Sequence, residues 1–330
     1  MLILAKAILA MMIGFVIAVF FGLVLIPILK KVKIKQTLSV FLTKNHKSKE
    51  GTPTMGGLIF IIPTILTMIY LLITDKVDNS SNLFLVLFVF LGYAMLGFID
   101  DYLIIKRNNN EGLTEFQKLV GQLIISLVFF YLYMSFGNNP IIDIHMFNLE
   151  IHLGPLYGIF LLLVLIATSN AVNITDGLDG LAGGLSLISF LALGIISWGS
   201  TGILGYEGIA IFCFVLVGSL LGFLVYNAYP AKVFMGDTGS LALGAAMAAV
   251  AIITRHEITL IIVAGVFVIE TLTCIIQMIA GRYFGKKIFL MAPLHHHFEK
   301  LGWKEYDIVR MFYIVGLLLT MSAICFGVWI

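Results

Sequence analysis

Apolar residues in this chain fall in long unbroken runs rather than alternating with polar ones. The runs lie near residues 3–29, 55–74, 83–103, 119–136, 155–172, 181–198, 208–226, 239–254, 258–280 and 309–330. A helix of such length crosses a hydrocarbon core of roughly 30 Å, so the pattern predicts ten membrane spans. The first run has a single basic residue, Lys6, at its start, exceeds a signal-peptide core and lacks a small-residue cleavage site, so it counts as a true span. Only Ile142 to Leu153 has sheet character. There Asp143, His145, Glu150 and His152 alternate with apolar residues around Asn148, which predicts a small hairpin outside the membrane. Its two histidines lack a metal-ligand spacing and read as solvated side chains.

Composition agrees with the pattern. Hydrophobic residues make up 60% of the 330 and charged residues 12%, and the mean hydropathy is +1.07, which excludes a water-soluble globule. The expected fold class is an all-α polytopic integral membrane protein, organised as one domain over 1–330 because no linker or low-complexity segment divides it. Its obligatory partner is the lipid bilayer, and no nucleic-acid partner is expected. The net charge of +2 says little, but its sidedness does. Seventeen of the twenty Lys and Arg fall in loops that follow odd-numbered spans, leaving only Lys6, Lys76 and Arg255 for the other side. By the positive-inside rule the basic loops are cytoplasmic and both termini extracytoplasmic. Cys213, Cys274 and Cys325 all lie in apolar runs and read as small packing residues.

Against this background the acidic segments need a chemical reason, because carboxylates are costly at a membrane. Three stand out: Phe98-Ile99-Asp100-Asp101-Tyr102, Asn173-Ile174-Thr175-Asp176-Gly177-Leu178-Asp179-Gly180 and Met235-Gly236-Asp237-Thr238-Gly239-Ser240. With the topology above, all five aspartates sit at the cytoplasmic face. A transport pathway would place its ionisable groups nearer the bilayer midplane and would favour internal repeats, and none is visible. Adjacent Asp100 and Asp101 at a helix end repel each other and oppose the helix dipole unless a cation intervenes. Asn173, Asp176 and Asp179 recur every three residues, a spacing that stacks side chains on one helical or near-helical face. Gly236 to Ser240 reads as a turn opening a span, where Asp237 or Thr238 can cap the helix and exposed amides favour phosphate.

Other polar groups accompany these segments. Lys49 precedes Gly51-Thr52-Pro53-Thr54-Met55-Gly56-Gly57, which suits a helix start over an anion, while Lys47 suits lipid headgroups. Asn227 closes a span on the same side. Pro293-Leu294-His295-His296-His297-Phe298-Glu299 lies in the last cytoplasmic loop, and its consecutive imidazoles suit hydrogen bonds to phosphate or sugar better than zinc. Glu270, in the middle of the ninth run, is an intramembrane acid with no partner nameable from sequence.

These motifs, in this order, resemble the polyprenyl-phosphate N-acetylhexosamine-1-phosphate transferases. The Gly51–Gly57 and Pro293–Glu299 segments narrow the resemblance to the phospho-N-acetylmuramoyl-pentapeptide-transferase branch, and the similarity spans Lys49 to Glu299. The resemblance implies a Mg²⁺-dependent enzyme of the bacterial cytoplasmic (inner) membrane, acting at its cytoplasmic face in peptidoglycan biosynthesis. It would move phospho-N-acetylmuramoyl-pentapeptide from UDP-N-acetylmuramoyl-pentapeptide to undecaprenyl phosphate, giving lipid I and UMP. Two anions must meet in that reaction, which fits an acidic site that recruits a hard cation.

The resemblance also implies residue roles. Asp237 is the first choice for a Mg²⁺ ligand, with Asp100, Asp101 and Asp176 around the metal and the lipid phosphate. Asp100 is the candidate base in a direct attack, and an aspartate nucleophile is the rival scheme. Gly177, Leu178, Asp179, Asn227, Phe234 and Lys49 correspond to a uridine pocket, with Asn173 beside it, and His295, His296 and His297 to the phosphates and sugar. His296 and Lys49 join the aspartates as catalytic candidates. Relatives often carry Lys shortly after the paired aspartates, but here Ile104 and Ile105 intervene before Lys106, so Lys118 is the better auxiliary. A homodimer is compatible with the resemblance. Two alternatives stand beside this reading: a sibling transferase using UDP-N-acetylglucosamine, which should lack the Gly51–Gly57 and triple-histidine segments, and a multi-span transporter.

Overall fold

A computed structural model describes residues 2–31, 51–107, 112–144, 147, 149–199 and 206–325. Lys47, Lys49, His145 and Asn148 lie outside the described residues. The chain is a helical bundle: α1 Leu2–Lys31, α2 Leu58–Ile73, α3 Ser81–Arg107, α4 Glu115–Ser135, α5 Leu156–Thr175, α6 Leu181–Gly199, α7 Tyr206–Asn227, α8 Gly236–Ile253, α9 Glu257–Val263, α10 Gly265–Phe284, α11 Leu294–Lys300 and α12 Glu305–Ile324. Among the described residues, nine helices have the length and hydropathy of membrane spans. The expected all-α polytopic membrane fold is therefore the observed one. The hairpin is present as well: β1 Ile141–Ile144 pairs antiparallel with β2 Leu149–His152, with Asp143 opposite Glu150.

The alanine- and glycine-rich α8 forms the centre, buried along nearly all of its length, with α3 and α5 packed against it. The next most buried spans are α6 and α7, and α1 lies on α7. Small side chains make this possible, because helices in lipid associate through close van der Waals packing rather than a hydrophobic driving force. Gly97 of α3 is the sharpest case. A Cβ there would overlap the carbonyl of Asp237, so only glycine lets α3 lie directly against the start of α8.

Two of the ten predicted spans differ from their apolar runs. The second is a helix only from Leu58, 16 residues long, because the residues before it are engaged elsewhere. Gly56 N–H donates to Phe234 O at 2.8 Å, Gly57 N–H to Met235 O at 2.9 Å and Phe234 N–H to Pro53 O at 2.8 Å. This segment leads into α2, with Gly57 as its N-cap, and is also laced to the turn before α8. The ninth run breaks at Ala264, next to Gly265, into α9 and α10, as helices do where glycine weakens the ladder. The loop that follows then folds back, so that α11 packs against both α10 and α12.

Candidate active site

The ends of α4, α5 and α8 meet around the paired aspartates, which lie within α3 and not at its end, because that helix runs on to Arg107. The α4 end is built locally: Thr114 and Gln117 form a capping box, and Leu113 N–H donates to Asp100 Oδ1 at 2.6 Å. That cap fixes the first turn of α4 and aims Lys118 inward. Its Nζ stands 3.2 Å from Asp100 Oδ2 and 2.7 Å from Asp237 Oδ2. Asn173, in the last turn of α5, donates through Nδ2 to Asp237 Oδ1 at 2.8 Å and to Ser240 Oγ at 2.9 Å. Two carboxylates from segments far apart in sequence thus share one cation, with Asp100 buried and Asp237 partly open.

Asp101 points the other way. Its Oδ2 accepts from Thr238 N–H at 3.0 Å and Thr238 Oγ1 at 2.6 Å, and its Oδ1 from Asp237 N–H at 3.3 Å. The side chain at the N-cap of α8, Met235, makes no capping bond, so the cap comes from α3 rather than from Asp237 or Thr238. A carboxylate at this helix N-terminus is stabilised by the free amides and the dipole. Those amides were the expected phosphate cradle, and in the structure Asp101 occupies them.

The spacing of Asn173, Asp176 and Asp179 does not make one helical face. α5 ends at Thr175 with Asp176 as its C-cap, and the chain then bends through Gly177 to Gly180, where φ is +80°. Asn173 reaches Asp237, whereas Asp179 Oδ2 accepts from Ala231 N–H at 2.9 Å and Asp179 N–H donates to Glu305 Oε1 at 2.7 Å. Leu178 is buried, and Gly177 is exposed at the tip. Asn227 braces this bend, accepting from Gly180 N–H at 3.1 Å and donating to Val233 O at 3.0 Å. Phe234 lies half-buried in the turn that this amide supports.

The histidines fall on α11. His295 is buried against Glu270 of α10, at 3.2 Å from Nδ1 to Oε2, and this supplies the partner that sequence could not name. His296 Nδ1 lies 2.6 Å from Glu299 Oε2, and His297 Nδ1 accepts from Leu290 N–H at 3.1 Å. Gly177 connects the two halves of the site, because a Cβ on it would overlap Nε2 of His295. Sequence reading singled out Glu270 by its intramembrane position without naming its partner, and it missed the contacts of Ser240 and Glu305, for which there was no signal.

A model described as glycosyl transferase family 4 matches residues 83–255, which contain all five aspartates. A second, described as phospho-N-acetylmuramoyl-pentapeptide-transferase signature 1, matches residues 49–61. Over 324 residues the chain is 47% identical to a phospho-N-acetylmuramoyl-pentapeptide-transferase of Geobacillus sp. (strain WCH70), covering 98% of each. This chain belongs to the phospho-N-acetylmuramoyl-pentapeptide-transferase family. Proteins of the same description from Bacillus subtilis (strain 168), 48% identical with 96% of each chain covered, and Oceanobacillus iheyensis, 45% identical with 94% of this chain and 95% of that one covered, agree. The protein is thus a phosphoglycosyl transferase of the membrane. Its family signature falls on the segment whose backbone is tied to the Asp237 turn.

Magnesium fits the donor set. Among the described residues no three His, Cys, Asp or Glu side chains gather as a closed metal cage. Mg²⁺ does not need one, since it commonly binds through one or two carboxylates together with water and substrate oxygens. Asp100 and Asp237 already converge on one cationic point, and Asp237 keeps access to solvent.

Proposed function

We propose that the protein transfers phospho-N-acetylmuramoyl-pentapeptide from UDP-N-acetylmuramoyl-pentapeptide to undecaprenyl phosphate, forming lipid I and releasing UMP, at the cytoplasmic face of the bacterial inner membrane. The observation that carries this reading is the meeting of Asp100 and Asp237 on Lys118, in a chain related to transferases of that description over nearly its whole length. Asp237 and Asp100 would hold Mg²⁺, which when bound offsets the charge of the diphosphate and polarises it. Asp176, the C-cap of the neighbouring α5, is a third candidate.

The chain's own residues have the following tasks. Lys118 supplies fixed positive charge where two phosphates must approach, and such preorganised charge favours the transition state. Asn173 holds Asp237 in one orientation. The bend from Gly177 to Asp179, braced by Asn227 and set beside Phe234, offers the nucleotide a backbone surface, with Lys49 in reserve from the signature segment. His295, His296 and His297 line the side toward the sugar. An oxygen of the lipid phosphate attacks the sugar-bearing phosphorus, one P–O–P link forms as the other breaks, and UMP departs. Direct attack is favoured because a phosphate monoester is largely ionised near neutral pH, while Asp100 and Asp237 already accept hydrogen bonds or ion pairs. An apolar cavity of about 240 Å³ between α5, α9 and α10, lined by Phe160, Val164, Leu260, Phe267 and Leu272, suits part of a prenyl chain.

Purified protein in defined lipid should convert radiolabelled UDP-N-acetylmuramoyl-pentapeptide and undecaprenyl phosphate into butanol-extractable product. EDTA should stop the conversion and Mg²⁺ restore it. Absence of product with Mg²⁺ present would overturn the reading, product only from UDP-N-acetylglucosamine would favour the sibling activity, and indifference to EDTA would remove the metal.

A further inference from the structure

Glu270 and His295 are both at 0% exposure, although one lies inside a membrane run and the other in the triple-histidine segment. The carboxylate meets the histidine twice: Oε1 accepts from the His295 backbone N–H at 3.2 Å, and Oε2 stands 3.2 Å from Nδ1. Glu270 therefore fixes both where α11 begins and how the imidazole is turned. Oε2 of Glu270 faces Nδ1, and the tautomer that donates to this oxygen carries its proton on Nδ1. Nε2 is buried with no hydrogen-bond partner among the described residues, and a Cβ added to Gly177, at the exposed tip of the bend, would overlap it. An unpartnered buried polar atom is unfavourable, which points to a group that completes it when bound.

We propose that Glu270 is a positioning residue for the nucleotide-sugar substrate, holding His295 so that Nε2 is presented at the 176–180 bend to a polar group of that substrate. This rests on the transferase reading above. The arrangement follows a common rule for histidines at functional sites: a carboxylate on one ring nitrogen sets the tautomer and direction of the other. Glu270 does not touch substrate in this assignment and acts only through the imidazole. Glycine at 177 is then required because any side chain would occupy the space that Nε2 faces.

The test uses the full-length protein in nanodiscs. Binding of UDP-N-acetylmuramoyl-pentapeptide without lipid acceptor, and KM for each substrate, are compared for wild type, Glu270→Gln, Glu270→Asp, His295→Ala and the double variant Glu270→Gln/His295→Ala. In Glu270→Gln the KM for the nucleotide sugar should rise about tenfold or more, with the KM for undecaprenyl phosphate within about twofold, and Glu270→Asp should recover part of the loss. In the His295→Ala background the second substitution should add nothing, because both act through one contact. ¹⁵N spectra of labelled histidine should show a protonated Nδ1 at His295 that loses its dominance in Glu270→Gln. An unchanged nucleotide KM, additive losses in the double variant, or an unaltered His295 tautomer would each overturn the proposal. Failure of the transferase reading is distinct, since the wild type would then make no lipid product.

Discussion

The bundle buries acids at both ends, and the two ends treat them differently. Beyond the hairpin, Glu257 is 2% exposed; its Oε1 accepts from Tyr157 Oη at 2.9 Å, with Tyr133 Oη 3.4 Å further along. Its Oε2 has no hydrogen-bond partner among the described residues. Nearby, Arg255 and Asp143 join the hairpin to the turn between α8 and α9 at 3.7 Å. At the other end, acids from α3 and α8 gather on Lys118, and a third caps α8. The hairpin end holds its glutamate with the Tyr157 hydroxyl. The other end packs anions beside one another with a single ammonium between them, which creates an unmet demand for positive charge. Among the described residues the hairpin end thus buries a single acid, whereas the other end concentrates two around one ammonium.

The strongest way to break this contrast is a matched pair of isosteric changes. Asp237→Asn should lower turnover by about 10³-fold or more, because charge preorganised at the reacting phosphates is lost. Glu257→Gln should keep turnover within about threefold, and both should leave the thermal midpoint nearly unchanged. Transfer assays with radiolabelled nucleotide sugar read the first quantity and thermal unfolding in detergent the second. Comparable losses in the two variants would erase the distinction between the ends.

Lys118→Ala comes next. Asp100 and Asp237 would face each other without their shared ammonium, and turnover should fall about 10²-fold. Part of the loss should return at higher Mg²⁺, seen as a shift in the titration midpoint. A loss independent of Mg²⁺ would mean that Lys118 serves the substrate alone. The smallest change in rate should come from Asp101→Asn, which keeps an acceptor for the α8 amides but removes the charge. It should lower stability by about 1 kcal/mol, as loss of a favourable cap does, measured as a drop in thermal midpoint. A catalytic loss equal to that of Asp237→Asn, without destabilisation, would return Asp101 to the reacting centre.

Much of this was legible in the chain because the bilayer imposes long apolar runs, and few other features produce them. The ten runs correspond to α1–α8, the broken α9–α10 pair and α12. The three acidic segments were visible because their composition is so costly in that setting. What escaped were long-range pairings, which no local period encodes. Asp101 looks identical to Asp100 in sequence, and only the close approach of α3 and α8 through Gly97 separates their tasks. Gly51 to Gly57 does enter a helix, α2, but its pairing with residues 234–235 had no local signal. Asn173 and Asp179 looked like neighbours on one face until the bend after Thr175 sent them to different partners.

The lacing of Pro53, Gly56 and Gly57 to Phe234 and Met235 has a mechanical result. The turn bearing Asp237 is gripped by this lattice on one flank and by Asp101 on the other, so the carboxylate has little freedom to swing toward an arriving molecule. Amide protons at Gly56, Gly57 and Phe234 should exchange with deuterated solvent as slowly as those in the centre of a helix, despite belonging to connecting segments. The travelling in each turnover then falls to the two substrates, which must bring their phosphates to a stationary anvil.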